Sequence, residues 1–145
     1  MSRKSARENA FKIIYSCALM KEPPDDICAY FEETVREDND LWAEDEMSAS
    51  DKDYMRAVVF GTAEKKDELN EKIAPLLKKW DIGRLPKVDL AILQLAVYEI
   101  EYLDDVPDRV SVNEAVEIAK KYGENDSYKY INGVLAQFVK GDKNA

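Results

Sequence analysis

The sequence predicts an all-α fold, and three observations predict it. Apolar residues recur at spacings of three and four in almost every segment. No two alternating runs are joined by the two-residue turn that closes a β-hairpin. The stretch from Pro86 to Leu103 is apolar nearly all round, through Val88, Leu90, Ala91, Ile92, Leu93, Leu95, Ala96, Val97, Tyr98 and Ile100. Such a segment is a helix surrounded by other helices, and it should form the centre of the fold.

The elements follow in order. Ala6, Ala10, Ile13, Ile14, Cys17 and Met20 give the first helix one apolar face. A second helix is expected after Pro23-Pro24, with Ile27, Tyr30, Phe31 and Val35 inward, and residues 37–47 read as an acidic loop. Ser50 and Asp53 have the spacing of a capping box with Asp in place of Glu. The helix they start should bury Tyr54, Ala57, Val58 and Gly61, the glycine marking a close helix crossing. Pro75 should kink or restart the helix ahead of Leu76, Leu77 and Trp80. After the central helix, Ser111 and Glu114 form a second capping box, and Val112, Ala115, Val116, Ala119 and Tyr122 continue one face. Gly123 ends that helix. Asp126 or Ser127 caps the last one, whose stripe is Tyr128, Ile131, Val134, Leu135 and Phe138.

The chain of 145 residues, 46% of them hydrophobic, suits one domain or two small helical halves sharing a core, about 1–80 and 81–140. It contains no histidine, which removes Ser-His and Cys-His nucleophile pairs and histidine metal sites. No Gly-rich phosphate loop is present. Cys17 and Cys28 fit no metal spacing and read as reduced thiols of a cytoplasmic protein. No cofactor or metal is expected. The Leu90–Tyr98 run is too short to span a bilayer, and no secretory leader is visible. The carboxylate pairs Glu32-Glu33 and Asp104-Asp105 stand in acidic, exposed contexts and do not argue for acid–base catalysis. A binding protein, not an enzyme, is the expectation.

A net charge of -9 at first argues against nucleic acid, but the charge is partitioned. Residues 1–21 hold five basic groups and one acid, whereas residues 22–53 hold thirteen acids and two basic groups. Arg3, Lys4 and Arg7 fall on one arc beside the apolar face of the first helix, where guanidinium forks can pair with phosphate and stack on bases. A solvated first turn is the competing account. Cations at a helix N-terminus oppose the helix dipole, which favours a functional reason for them. The second candidate is the segment Tyr122 to Tyr130, where aromatic faces, a lysine and capping side chains surround a helix start. Buried core edges at Tyr122 and Tyr130 are the alternative there. Asp89, on the first turn of the central helix, is accounted for by the dipole alone.

Several long motifs then occur in a recognisable order. They are Ser5-Ala6-Arg7-Glu8 leading to Ile14-Tyr15, Leu85 to Leu93, Ala96-Val97-Tyr98-Glu99, Asp105-Val106-Pro107, Val112 to Val116, and Ile131-Asn132-Gly133-Val134-Leu135. Together they closely resemble the NusB family of bacterial transcription antitermination factors, over nearly the whole chain. The stretch around Asp38 to Glu46 is the least family-like.

The resemblance implies about seven helices in two packed bundles around the apolar central helix, with the basic first helix at an RNA-binding surface. It implies binding to boxA single-stranded RNA in nascent transcripts together with NusE, a small-ribosomal-subunit protein. The complex would act with other Nus factors on RNA polymerase, notably in ribosomal RNA operons. By position, the RNA contacts fall on Arg3, Lys4, Arg7, Tyr122, Asp126, Ser127, Lys129 and Tyr130, and the NusE contacts on Tyr15 and Asp89. Some NusB-like proteins form a homodimer that covers the RNA surface; the residues here do not choose between monomer and dimer.

Two departures matter. Lys4 stands where the family often has a second arginine, and a lysine lacks the two-point phosphate contact. Tyrosine replaces the common phenylalanine at 122 and 130, which preserves stacking. The acidic segment suggests weak affinity for free RNA and a dependence on NusE. An RNA-recruiting domain of an RNA cytosine methyltransferase is the enzyme alternative. It needs a following catalytic domain, which a chain ending at Ala145 does not favour. A purely protein-binding bundle is the third reading.

Overall fold

A computed structural model of the chain describes residues 3–20, 48–78 and 81–143. Among these residues there are six α-helices, one short 3-10 turn and no strand. The expected helix after Pro23-Pro24, the loop at 37–47, Cys28 and Trp80 lie outside the described residues. Contacts divide the chain into two compact units, Met1–Glu64 and Lys65–Ala145.

In the first unit, α1 (Arg3–Leu19) packs against α2 (Ala49–Glu64). The buried side of α1 is Ala6, Ala10, Phe11, Ile13 and Ile14, together with Arg7 and Asn9. Cys17 is half-buried and in no disulfide among the described residues. The cap of α2 differs from the expectation. Ser48, not Ser50, accepts the Asp51 backbone N–H at 3.0 Å, so the Ser-x-x-Asp box sits two residues earlier. Starting at Ala49 places the Asp51 carboxylate in the first turn, where the helix dipole favours it. The inward face is Tyr54, Met55, Val58, Val59, Gly61 and Thr62; Ala57 points to solvent, contrary to the sequence reading. Met55 supplies the larger apolar surface and takes the inward place.

In the second unit, α3 (Lys66–Ile73) buries Leu69 and Ile73. Pro75 ends it by forming a 3-10 turn, Ala74–Leu76, after which Leu77 is extended and buried. The helix is therefore broken at the proline and not resumed there. Because α3 packs on α4 (Lys87–Tyr102), the division between units falls at Glu64/Lys65 and not near residue 80.

Helix α4 touches α3, α5 (Asp108–Tyr122) and α6 (Ser127–Lys143), and every residue from Ala91 to Val97 is buried. Two polar side chains are buried with it. Gln94 donates to Asn70 Oδ1 at 2.9 Å, and Glu99, 1% exposed, faces Ser111.

Ser111 is consequently not a cap. Helix α5 begins behind Pro107, with Asp108 in its first turn, and Ser111 turns inward with its hydroxyl 3.4 Å from Glu99 Oε1. Proline holds a φ compatible with the helix entry and needs no N–H, so the helix starts one turn earlier than the Ser-x-x-Glu signal suggests. Gly123 ends α5, and Ile131, Val134, Leu135 and Phe138 are the buried stripe of α6.

Candidate nucleic-acid interface

Positions 3 and 7 of a helix lie only about 40° apart, and both face α2. Arg3 Nε donates to Asp51 Oδ1 at 3.0 Å and Nη2 donates to Ser50 Oγ at 3.0 Å. Its guanidinium carbon lies 4.5 Å from the centre of the Tyr54 ring, and that of Arg7 lies 5.4 Å from the same centre. Arg7 is buried, 3% exposed. The expected arc is thus split: Lys4 is exposed, Arg3 half-buried and Arg7 inside the helix pair. An arginine can be buried this way because its stem is apolar and its planar head packs on an aromatic face. Asp51 also compensates the unfavourable placement of Arg3 at a helix N-terminus. On the same helix, Tyr15 is half-buried and stacks on Phe11, ring centres 5.9 Å apart and planes within 5°.

The second region gathers the start of α4, the end of α5 and the start of α6. Ser127 opens α6 and turns its hydroxyl inward to donate to Asp89 Oδ1 in the first turn of α4. Both residues are buried. Tyr130, one turn on, is half-buried, and its hydroxyl is sequestered without a hydrogen-bond partner among the described residues. Burial, and then the Asp89 charge, push its pKa up. Tyr122 is half-buried; Asp126 and Lys129 are exposed and lie 3.8 Å apart. The sequence treatment of Asp89 as a simple dipole partner missed its burial and its pairing with Ser127.

Burial raises the Asp89 pKa above its ordinary value of 3.8; the Ser127 hydroxyl opposes this and Glu124 adds to it. The folded state therefore takes up this proton before the unfolded chain does. Its contribution to stability is least favourable above the raised pKa and improves as pH falls from there toward 3.8. Unfolding of wild type and Asp89→Asn across that window should show wild type gaining on the variant with acidification. Parallel pH profiles would reject this placement of Asp89.

Lysines extend the second region. Lys120 Nζ lies 5.4 Å and Lys129 Nζ 5.9 Å from the Tyr128 ring centre, and Lys121 Nζ lies 5.4 Å from that of Tyr122. Sequence reasoning did not select Lys120 or Lys121, although they immediately precede Tyr122. Such a surface offers cations for phosphate and aromatic faces for bases. Among the described residues, no cluster of His, Cys, Asp and Glu could hold a metal, and no helix is long and apolar enough to cross a membrane.

Comparison with known proteins agrees with this architecture. Residues 4–140 match the NusB family. The transcription antitermination protein NusB of Clostridium botulinum is 39% identical over 144 residues, covering 96% of this chain and all of that protein. The solved structure of T. maritima NusB superposes with a TM-score of 0.82 at 30% identity, covering 97% of this chain and 92% of that one. A crystal structure of antitermination factors NusB and NusE in complex with dsRNA gives a TM-score of 0.79 at 27% identity, covering 96% of each chain. The chain belongs to the NusB family.

Proposed function

We infer that this protein is a transcription antitermination factor that binds boxA single-stranded RNA together with NusE. It acts with other Nus factors on RNA polymerase in the cytoplasm, notably on ribosomal RNA operons, and it is a binding protein and not an enzyme. The observation that carries the reading is the family match over residues 4–140. The likeness to a NusB in complex with NusE and dsRNA supports NusE and RNA as the classes of partner. Lys4 and Arg3 in the first unit, and Tyr122, Asp126, Ser127, Lys129 and Tyr130 in the second, are the RNA-contacting residues of this proposal. Arg7 contributes by holding Tyr54 and, through packing, the first turn of α1. Tyr15 and Asp89 are assigned to NusE.

Titration of boxA RNA into the protein, with and without NusE, tests the reading. Affinity should rise when NusE is present, and single-stranded RNA should bind more tightly than the corresponding duplex. Equal affinities with and without NusE would remove the partner dependence, and no RNA binding in either case would overturn the function. Sedimentation of the RNA-free protein decides between monomer and homodimer, and a homodimer that covers the RNA surface should dissociate when RNA is added.

A further inference from the structure

We propose that Tyr128, flanked by Lys120 and Lys129, is an additional single-stranded RNA contact, the ring stacking on a base and the two ammonium groups neutralising adjacent phosphates. The proposal rests on the RNA-binding function given above and adds two residues, Tyr128 and Lys120, to the interface. The Tyr128 ring is half-buried, so its position is held by the fold while part of it remains open. Cations reach it from two helices: Lys120 from the last turn of α5, Lys129 from the first turn of α6.

Neither lysine is committed to a strong partner. Lys120 meets Glu117 at 3.6 Å with both side chains 50% exposed, and Lys129 meets Asp126 at 3.8 Å with both more exposed still. Exposed pairs of this kind contribute little to stability and are readily exchanged for phosphate. The helix dipole accounts for Lys120 at a C-terminal turn, but it disfavours Lys129 at an N-terminal one. A fold optimised only for stability would not place a cation there. The combination of an anchored aromatic face and exposed cations is the way single-stranded nucleic acid is held with little sequence demand.

The test uses the full chain with NusE and a boxA RNA oligonucleotide, titrated at several salt concentrations. Tyr128→Leu should weaken binding about 5- to 150-fold, the range expected for losing one stacked base, while Tyr128→Phe should bind like wild type. Lys120→Ala, at an exposed site, should make the salt dependence shallower by about 0.7 in slope, one single-strand phosphate contact. Melting curves of each variant separate loss of contact from loss of fold. Wild-type affinity in Tyr128→Leu, or an unchanged slope in Lys120→Ala, overturns the proposal and leaves the RNA-binding function standing. Absence of RNA binding by the wild-type complex overturns both.

Discussion

Gly123→Ala is expected to destabilise the protein by about 1–3 kcal/mol, the usual cost of forcing an extra carbon into a filled space. The backbone at Gly123 is extended, with φ -88° and ψ 174°, so conformation does not demand glycine. Space does. A Cβ there would stand 2.7 Å from Ser127 Oγ, 2.8 Å from Ser127 Cβ and 2.9 Å from the Ala119 carbonyl oxygen. That carbonyl already accepts the Gly123 N–H at 2.8 Å and cannot retreat without opening the end of α5. Ser127 must then move, which takes its hydroxyl from the buried Asp89 carboxylate. Gly133 is the control. It is exposed within α6, and an added Cβ would meet nothing within 4 Å. Gly133→Ala should therefore stabilise by about 0.5–1 kcal/mol, because the glycine entropy cost is removed without a clash. Urea unfolding midpoints measure both, and midpoints moving the same way in the two variants would refute the steric account.

Arg7→Ala should likewise cost about 1–3 kcal/mol in stability, through the loss of a buried aliphatic stem and of the guanidinium on Tyr54. Lys4→Ala, three residues earlier, should stay within about 0.5 kcal/mol of wild type in stability. It should instead make the salt dependence of RNA binding shallower by about 0.7, as expected when one contact to a single strand is lost. On the proposed function, the same basic turn thus combines a packing residue with a proposed RNA contact. Denaturation and salt-dependent RNA titration of the two variants separate these roles. Equal destabilisation by both substitutions would contradict the burial difference.

The helix pattern was legible because periodicity reports burial directly. Ala91 to Val97 and the Ile131, Val134, Leu135, Phe138 stripe appear in the core as their spacing predicts. The caps were less legible. Ser50 and Ser111 carry the right local signal, yet Ser48 caps α2 and Pro107 starts α5, because competing starts two to four residues apart are decided by tertiary contacts. Helical spacing puts Arg7 on one arc with Arg3 and Lys4, but its burial beside the Tyr54 ring is a contact with α2 that spacing within α1 does not contain. The pairing of Asp89 with Ser127 joins residues 38 positions apart, and Lys120 meets Tyr128 across two helices. No local window contains the first pair, and the second, though close in sequence, depends on how the turn between α5 and α6 folds back.

The Ser127–Asp89 hydrogen bond has a thermodynamic consequence for whatever binds beside it. First turns of helices commonly fray, and a ligand that docks on a frayed turn must meet the entropy of ordering it. Here the opening residue of α6 is latched to a neighbouring helix by a buried contact before any ligand arrives. The ordering cost is already met in the folding of the unit, so more of the interaction energy at this helix start remains as affinity. On the proposed function, preorganisation of this kind would let a small, acidic protein hold a flexible strand with few contacts.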